Sequence, residues 1–110
     1  MSDREFEVLW TETAAQDLEE IFFYIAHDSP TNARRVLVRL RTRAETLRTL
    51  PSRGRVVPEL RDLSLEPWRE ILERPHRIIY RISGYTVLIM AVLDGRRDLE
   101  TLLLQRLLRS

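Results

Sequence analysis

The sequence predicts an α+β fold of two layers: an N-terminal strand, an antiparallel helical hairpin on one face of a sheet of about four strands, and a short C-terminal helix. Three observations point there. Two stretches of helical period, residues 14–25 and 33–47, are separated by little more than Ser29-Pro30. Three later stretches, residues 68–73, 76–82 and 85–93, read as strands. The last contains seven consecutive apolar residues, Val87 to Leu93, which suits a central strand covered on both sides. At 110 residues the chain holds one core and is too short for two, so residues 1–110 form a single domain.

Each element has its own signal. Phe6, Val8 and Trp10 alternate with Glu5, Glu7 and Leu9, giving a first strand from Glu5 to Trp10. Thr11 or Thr13 caps the helix that follows, whose stripe is Ala14, Leu18, Ile21, Phe22 and Ile25. Ser29-Pro30 is an N-cap with proline at the first helical position, and it opens a second helix with the stripe Ala33, Val36, Leu37, Leu40, Ala44 and Leu47. Pro51 closes it. Pro51, Gly54, Pro58 and Pro67 make residues 51–67 a loop, with one helical turn near Pro58 to Leu63. A strand from Trp68 to Glu73 sets Trp68, Glu70 and Leu72 opposite Arg69, Ile71 and Glu73. His76 to Ile82, a Ser83-Gly84 turn and Tyr85 to Leu93 then form a hairpin. Leu99, Leu102, Leu103 and Leu107 fall at helical offsets in the tail.

Composition narrows the function classes. There is no cysteine, so a disulfide scaffold and a thiolate metal site are both excluded. The residues require no metal and no cofactor. Charges occupy the N-terminus where a secretory apolar region would lie, and no apolar run approaches the roughly 18 residues that span a bilayer; the expectation is a cytoplasmic protein with no membrane partner. All eighteen basic residues are arginine, and seventeen acids bring the net charge to +1. The distribution is uneven. Residues 12–28 hold five acids and no arginine, whereas residues 30–50 hold six arginines and only Glu45. Either the two helices carry complementary surface charge, or the second offers a docking face to an acidic partner.

The ordered set Trp10-Thr11, Asp17-Leu18, Tyr24-Ile25, Pro51 with Gly54-Arg55, Arg77-Ile78-Ile79-Tyr80-Arg81 and Val92-Leu93-Asp94-Gly95-Arg96-Arg97-Asp98 resembles the RelE/ParE superfamily of type II toxins. Members similar in the Gly-Arg-Arg-Asp segment are usually called ParE-like or plasmid stabilisation proteins. The resemblance implies a toxin neutralised by a cognate antitoxin, in a homodimer or a toxin-antitoxin heterotetramer. ParE-like members poison DNA gyrase; RelE-like members cut mRNA in the ribosome. Many relatives carry histidine where this chain has Asp94.

Chemistry separates those branches. Cleavage through a ribose 2′-hydroxyl needs a base, an acid and cations, and arginine supplies only the last. RelE-like nucleases are similar to one another in adding lysines, a histidine or glutamate, and a late tyrosine. This chain has no lysine, and leucines fill the segment where that tyrosine belongs. His76 and Glu70 are the remaining acid-base candidates, and no catalytic residue is assigned with them set aside. Arg77, Arg81, Arg96 and Arg97, with Trp68, Leu103 and Leu107, are the candidates for binding the target or the antitoxin. The same side chains have structural roles open to them. Glu70, Glu73 and Arg74 can pair across strands with Arg69 or Arg81, Arg77 or Arg81 can pair with Glu70 or Glu73, and Trp68 and the leucines can belong to the core. The expected function is non-enzymatic inhibition of DNA gyrase. The alternatives are a ribosome-dependent mRNA endonuclease and a module that only joins its antitoxin to repress their promoter.

Overall fold

The structure is a computed structural model, and it describes residues 4–61 and 67–95. Strand β1 (Glu7–Trp10) leads into helix α1 (Glu12–Ala26), and α2 (Pro30–Glu45) returns beside it. Then come β2 (Arg55–Val56), β3 (Arg69–Glu73), β4 (His76–Ser83) and β5 (Thr86–Asp94). The sheet order is β1-β5-β4-β3-β2, with β1 parallel to β5 and the other pairs antiparallel. β5 is thus an interior strand, flanked by β1 and β4, as its apolar run requires.

Local chemistry accounts for the helices. The Thr11 hydroxyl accepts from the Ala14 N–H, and the Ser29 hydroxyl accepts from the Asn32 N–H. Each bond satisfies an N–H that has no partner inside its helix. Pro30 occupies the first turn of α2, where no N–H is needed. This helix stops at Glu45, short of Pro51: residues Thr46–Arg48 tighten into a 3₁₀ turn and bury Leu47. Two further 3₁₀ turns, Pro51–Arg53 and Pro58–Leu60, punctuate the loop. The fifth strand is the two-residue β2, too short to show any alternation in the sequence. No helix among the described residues is long and apolar enough to cross a membrane.

The sheet carries an apolar cluster on each face. Towards the helices, Val8, Ile71, Ile78, Tyr80, Val87, Ile89 and Val92 meet Ala14, Leu18, Leu40, Ala44 and Leu47. On the other face Ile79, Ala91 and Leu93 are covered by Val57 and Leu60 of the proline-rich loop, with Trp68 against them. The opposite face is therefore not left open to solvent, because that loop folds across it. The β4–β5 turn places Gly84 at its first central position with φ +59°, a conformation glycine adopts without steric cost.

One irregularity lets β5 serve both clusters. Ile79 pairs with Ala91 and Tyr80 with Ile89, which leaves Met90 as an extra residue in β5. Val87 and Ile89 face the helices before this bulge, and Val92 faces them after it. The bulge lies where β1 ends. The Thr11 N–H and hydroxyl both donate to the Ile89 carbonyl, and beyond that point Asp17 of α1 accepts the Val92 N–H at 3.0 Å. The buried Asp17 carboxylate thus takes a strand N–H that β1 no longer reaches.

Candidate functional site

Strand β4 brings Arg77 to the loop-covered face, in line with Ile79, while the diagonal position on β3 is Glu70. Both are buried. Arg77 Nε and Nη2 donate to the two Glu70 carboxylate oxygens, the latter bond measuring 2.9 Å. Its Nη1 and Nη2 also donate to Glu59, just after Pro58 in the loop, at 3.0 Å each. Arg55 of β2 adds a second cation to Glu70. Two carboxylates and two guanidiniums therefore alternate as Glu59, Arg77, Glu70 and Arg55. The planar fork of arginine permits this double bidentate grip.

Burial opposes the charge on Arg77, but its bonds to Glu70 and then to Glu59 outweigh that effect and raise its pKa above the ordinary guanidinium value. Burial likewise pushes Glu59 up. The Arg77 hydrogen bond and charge prevail, and hold Glu59 below the usual carboxylate range. Burial raises the Tyr80 phenol. That hydroxyl donates to the Pro51 carbonyl and accepts the Gly54 N–H at 3.1 Å, which pins the loop to β4.

An open cleft of about 730 Å³ runs along the β2–β3 edge of this cluster and is bordered by Arg43, Arg53, Arg55, Arg74, His76 and Arg77. Gly95 closes one end. Its N–H donates to the Pro75 carbonyl at 2.8 Å, and a side chain there would meet that oxygen and the Arg77 stem. His76 pairs in register with Asp94 across β4 and β5. The cleft gathers cations, and its innermost guanidinium already holds two carboxylates.

The sequence-derived candidates divide. Glu70, His76 and Arg77 come together. Arg81 lies four residues along β4, about 13 Å away at strand rise, half-buried, and not on the cleft. Trp68 is half-buried against Val57, Leu60, Ile79, Ala91 and Leu93. Arg96, Arg97, Leu103 and Leu107, and the C-terminal helix expected from them, lie outside the described residues. Of the pairings open to Glu70, the one with Arg77 is made and those with Arg69 and Arg81 are not. Register sets Arg69 beside Tyr80, where it donates to the Gly54 carbonyl at 2.8 Å, and the Glu70 partners are Arg77 and Arg55. Glu59 and Arg55 escaped the sequence reading, since their contacts join positions far apart in the chain. The only hint was an acid in the turn expected at Pro58.

Comparison with known proteins decides the family. Residues 8–99 match the family described as ParE toxin of type II toxin-antitoxin system, parDE. The chain belongs to this family. Among curated relatives it is similar to Toxin RelE2 of Caulobacter vibrioides, 35% identical over 92 residues that cover 83% of this chain and 97% of that protein. Toxin ParE3 of the same organism is 29% identical over 97 residues, covering 84% and 89%. Two solved structures share the fold. One is described as the chromosomal ParDE toxin-antitoxin system from P. aeruginosa, with TM-score 0.67, 22% identity, and 83% and 97% of the two chains covered. The other is the toxin-antitoxin complex RelBE2 from Mycobacterium tuberculosis, with TM-score 0.59, 25% identity, and 84% and 97% covered. The protein is a type II toxin of the RelE/ParE superfamily, and both names occur among its relatives.

Proposed function

We propose that this toxin acts by non-enzymatic binding to DNA gyrase and is silenced by a cognate antitoxin. One observation carries the reading: the strand arginine that would grip a phosphate is already held by Glu70 and Glu59. Glu70, the carboxylate nearest to it, has a fully buried side chain and accepts from Arg77 and Arg55. A carboxylate locked between two guanidiniums is poorly placed to take a proton from a ribose hydroxyl. The match to the ParE family supports the same choice, and the complexes among the structural neighbours support an antitoxin partner. Supercoiling by gyrase should fall as purified toxin is added and recover when antitoxin is present. Unchanged supercoiling at saturating toxin defeats the proposal.

A second reading has an observation of its own. The basic cleft, with His76 on its border, could accept a phosphodiester, and the relative at 35% identity is named RelE2. On that reading the phosphate-holding set Arg77, Arg81 and Arg97 reduces at the cleft to Arg77, since Arg81 lies off it and Arg97 is outside the described residues, and His76 or Glu70 is the base. It requires cutting of mRNA at defined positions in translating extracts, with the cutting lost in His76→Ala. Intact message removes it.

A further inference from the structure

We propose that Glu59 is an exchangeable internal ligand, which a doubly charged phosphate group displaces from Arg77. This rests on the occupied Arg77 of the proposed function and holds whether or not gyrase is the target. The two carboxylates on Arg77 differ in kind. Glu70 takes Nε and Nη2 from strand β3, its side chain has no solvent exposure, and Arg55 holds it as well. It is a fixed counter-ion that orients the guanidinium. Glu59 takes Nη1 and Nη2 from the loop, and its side chain is 26% exposed. Among the described residues its one ion pair is with Arg77. Release needs no unfolding. The turn is pinned on either side of Glu59 by Val57 and Leu60, both buried against the sheet, and the Val57 N–H donates to the Trp68 carbonyl at 2.7 Å. The backbone therefore stays in place while rotation about side-chain bonds swings the carboxylate into solvent. What it vacates is a pair of parallel N–H groups, the fork with which arginine grips carboxylates and phosphates.

Charge selects the incoming anion. A singly charged group would exchange like for like and gain nothing from the swap, whereas a phosphate dianion gains from every cation nearby. Burial raises the Glu59 pKa, yet Arg77 and then Arg55 bring it below the ordinary value, so an anion in the same place feels both guanidiniums. Arg55 and Arg77 border the basic cleft, and Arg43, Arg53 and Arg74 on the same border form no ion pair among the described residues. The acid on that border, Glu70, is already taken. The ligand class is thus a free phosphate or a phosphate monoester, in contrast to the singly charged diesters of a nucleic-acid backbone, which leave Glu59 where it is.

Isothermal titration of the full chain with inorganic phosphate tests this, above neutral pH where phosphate is a dianion and at fixed ionic strength. Glu59→Gln should bind phosphate about 10- to 100-fold more tightly than the unaltered chain, the worth of a charge-assisted bond lost by the competitor. Glu59→Ala should do the same. Methyl phosphate, a monoester, should bind as well; the tighter of it and inorganic phosphate names the source, and either supports the exchange. Dimethyl phosphate, a singly charged diester, should bind Glu59→Gln about tenfold more weakly. Equal phosphate affinity in the unaltered chain and both variants, all with the native far-ultraviolet spectrum, overturns the exchange but leaves an anion site. No binding to either variant overturns the anion site too. A diester held as tightly as phosphate overturns the selection by charge. Without any variant, phosphate should raise the melting temperature of the unaltered chain above that in chloride of equal ionic strength, and an unchanged value overturns the exchange. Gyrase supercoiling is read separately, so failure here and failure of the proposed function are told apart.

Discussion

Arg77→Met removes the central cation from a cluster in which the Glu70 side chain has no solvent exposure and that of Arg77 only 9%. Methionine fills much of the same volume, so the change is chiefly one of charge. Glu70 would keep only Arg55, whose side chain is 62% exposed and correspondingly screened. Breaking a buried pair in this way costs about 3–5 kcal/mol, because a carboxylate stays inside without full compensation. Against a total stability of about 5–15 kcal/mol for a domain of this size, that is a large fraction. Glu59→Gln should cost only about 1 kcal/mol, since that carboxylate is the more exposed of the two, at 26% against none for Glu70. The decisive variant is Glu70→Leu combined with Arg77→Met. No buried charge then remains, and the double variant should be more stable than Arg77→Met alone. Urea unfolding followed by tryptophan fluorescence measures all three, with Trp68 packed next to the affected face. A loss below about 1 kcal/mol for Arg77→Met, or a double variant weaker than that single one, refutes a buried and mutually dependent pair.

Four further outcomes follow from the same region. Gly54→Ala should destabilise by about 1–3 kcal/mol in the same unfolding assay, because an added Cβ would lie 2.7 Å from the Glu70 carbonyl oxygen and collide with the Tyr80 hydroxyl. Tyr80→Phe should cost about 1–2 kcal/mol by freeing the Gly54 N–H and the Pro51 carbonyl. Because folding raises the Tyr80 pKa, its contribution is complete below the ordinary phenol value near 10 and declines as pH rises through the folded value; an alkaline melting series should show a loss that is absent in Tyr80→Phe. Folding lowers the Glu59 pKa, so the native state holds fewer protons there. Its contribution is present above the ordinary carboxylate value and lost as pH falls through the lower folded one, so an acid melting series should be flatter in Glu59→Gln.

The helices were legible because period, cap and proline agree: Ala14 and Leu18 face inward, and Thr11, Ser29 and Pro30 mark the starts. The apolar run of β5 correctly indicated a central strand with a neighbour on each side. Contacts that depend on register were beyond the reach of alternation. It could not tell that Glu70 meets Arg77 and Arg55 in preference to Arg69 or Arg81, nor that two residues at Arg55–Val56 would extend the sheet. The cover over the second face was hidden for a related reason. Val57 and Leu60 lie in an aperiodic, proline-rich stretch, and nothing local reveals that Glu59 between them will reach back to a strand.

The extra residue at Met90 divides β5 into two segments whose inward and outward positions are out of phase. A single deletion there would turn Val92 away from the helices, bring Ala91 and Leu93 towards them, and deprive Asp17 of the amide it accepts. Loss of one side chain can be absorbed by repacking, but loss of this one position in the chain would exchange the contents of both apolar clusters along the second half of the strand. Length at this point is thus a stricter requirement than residue identity.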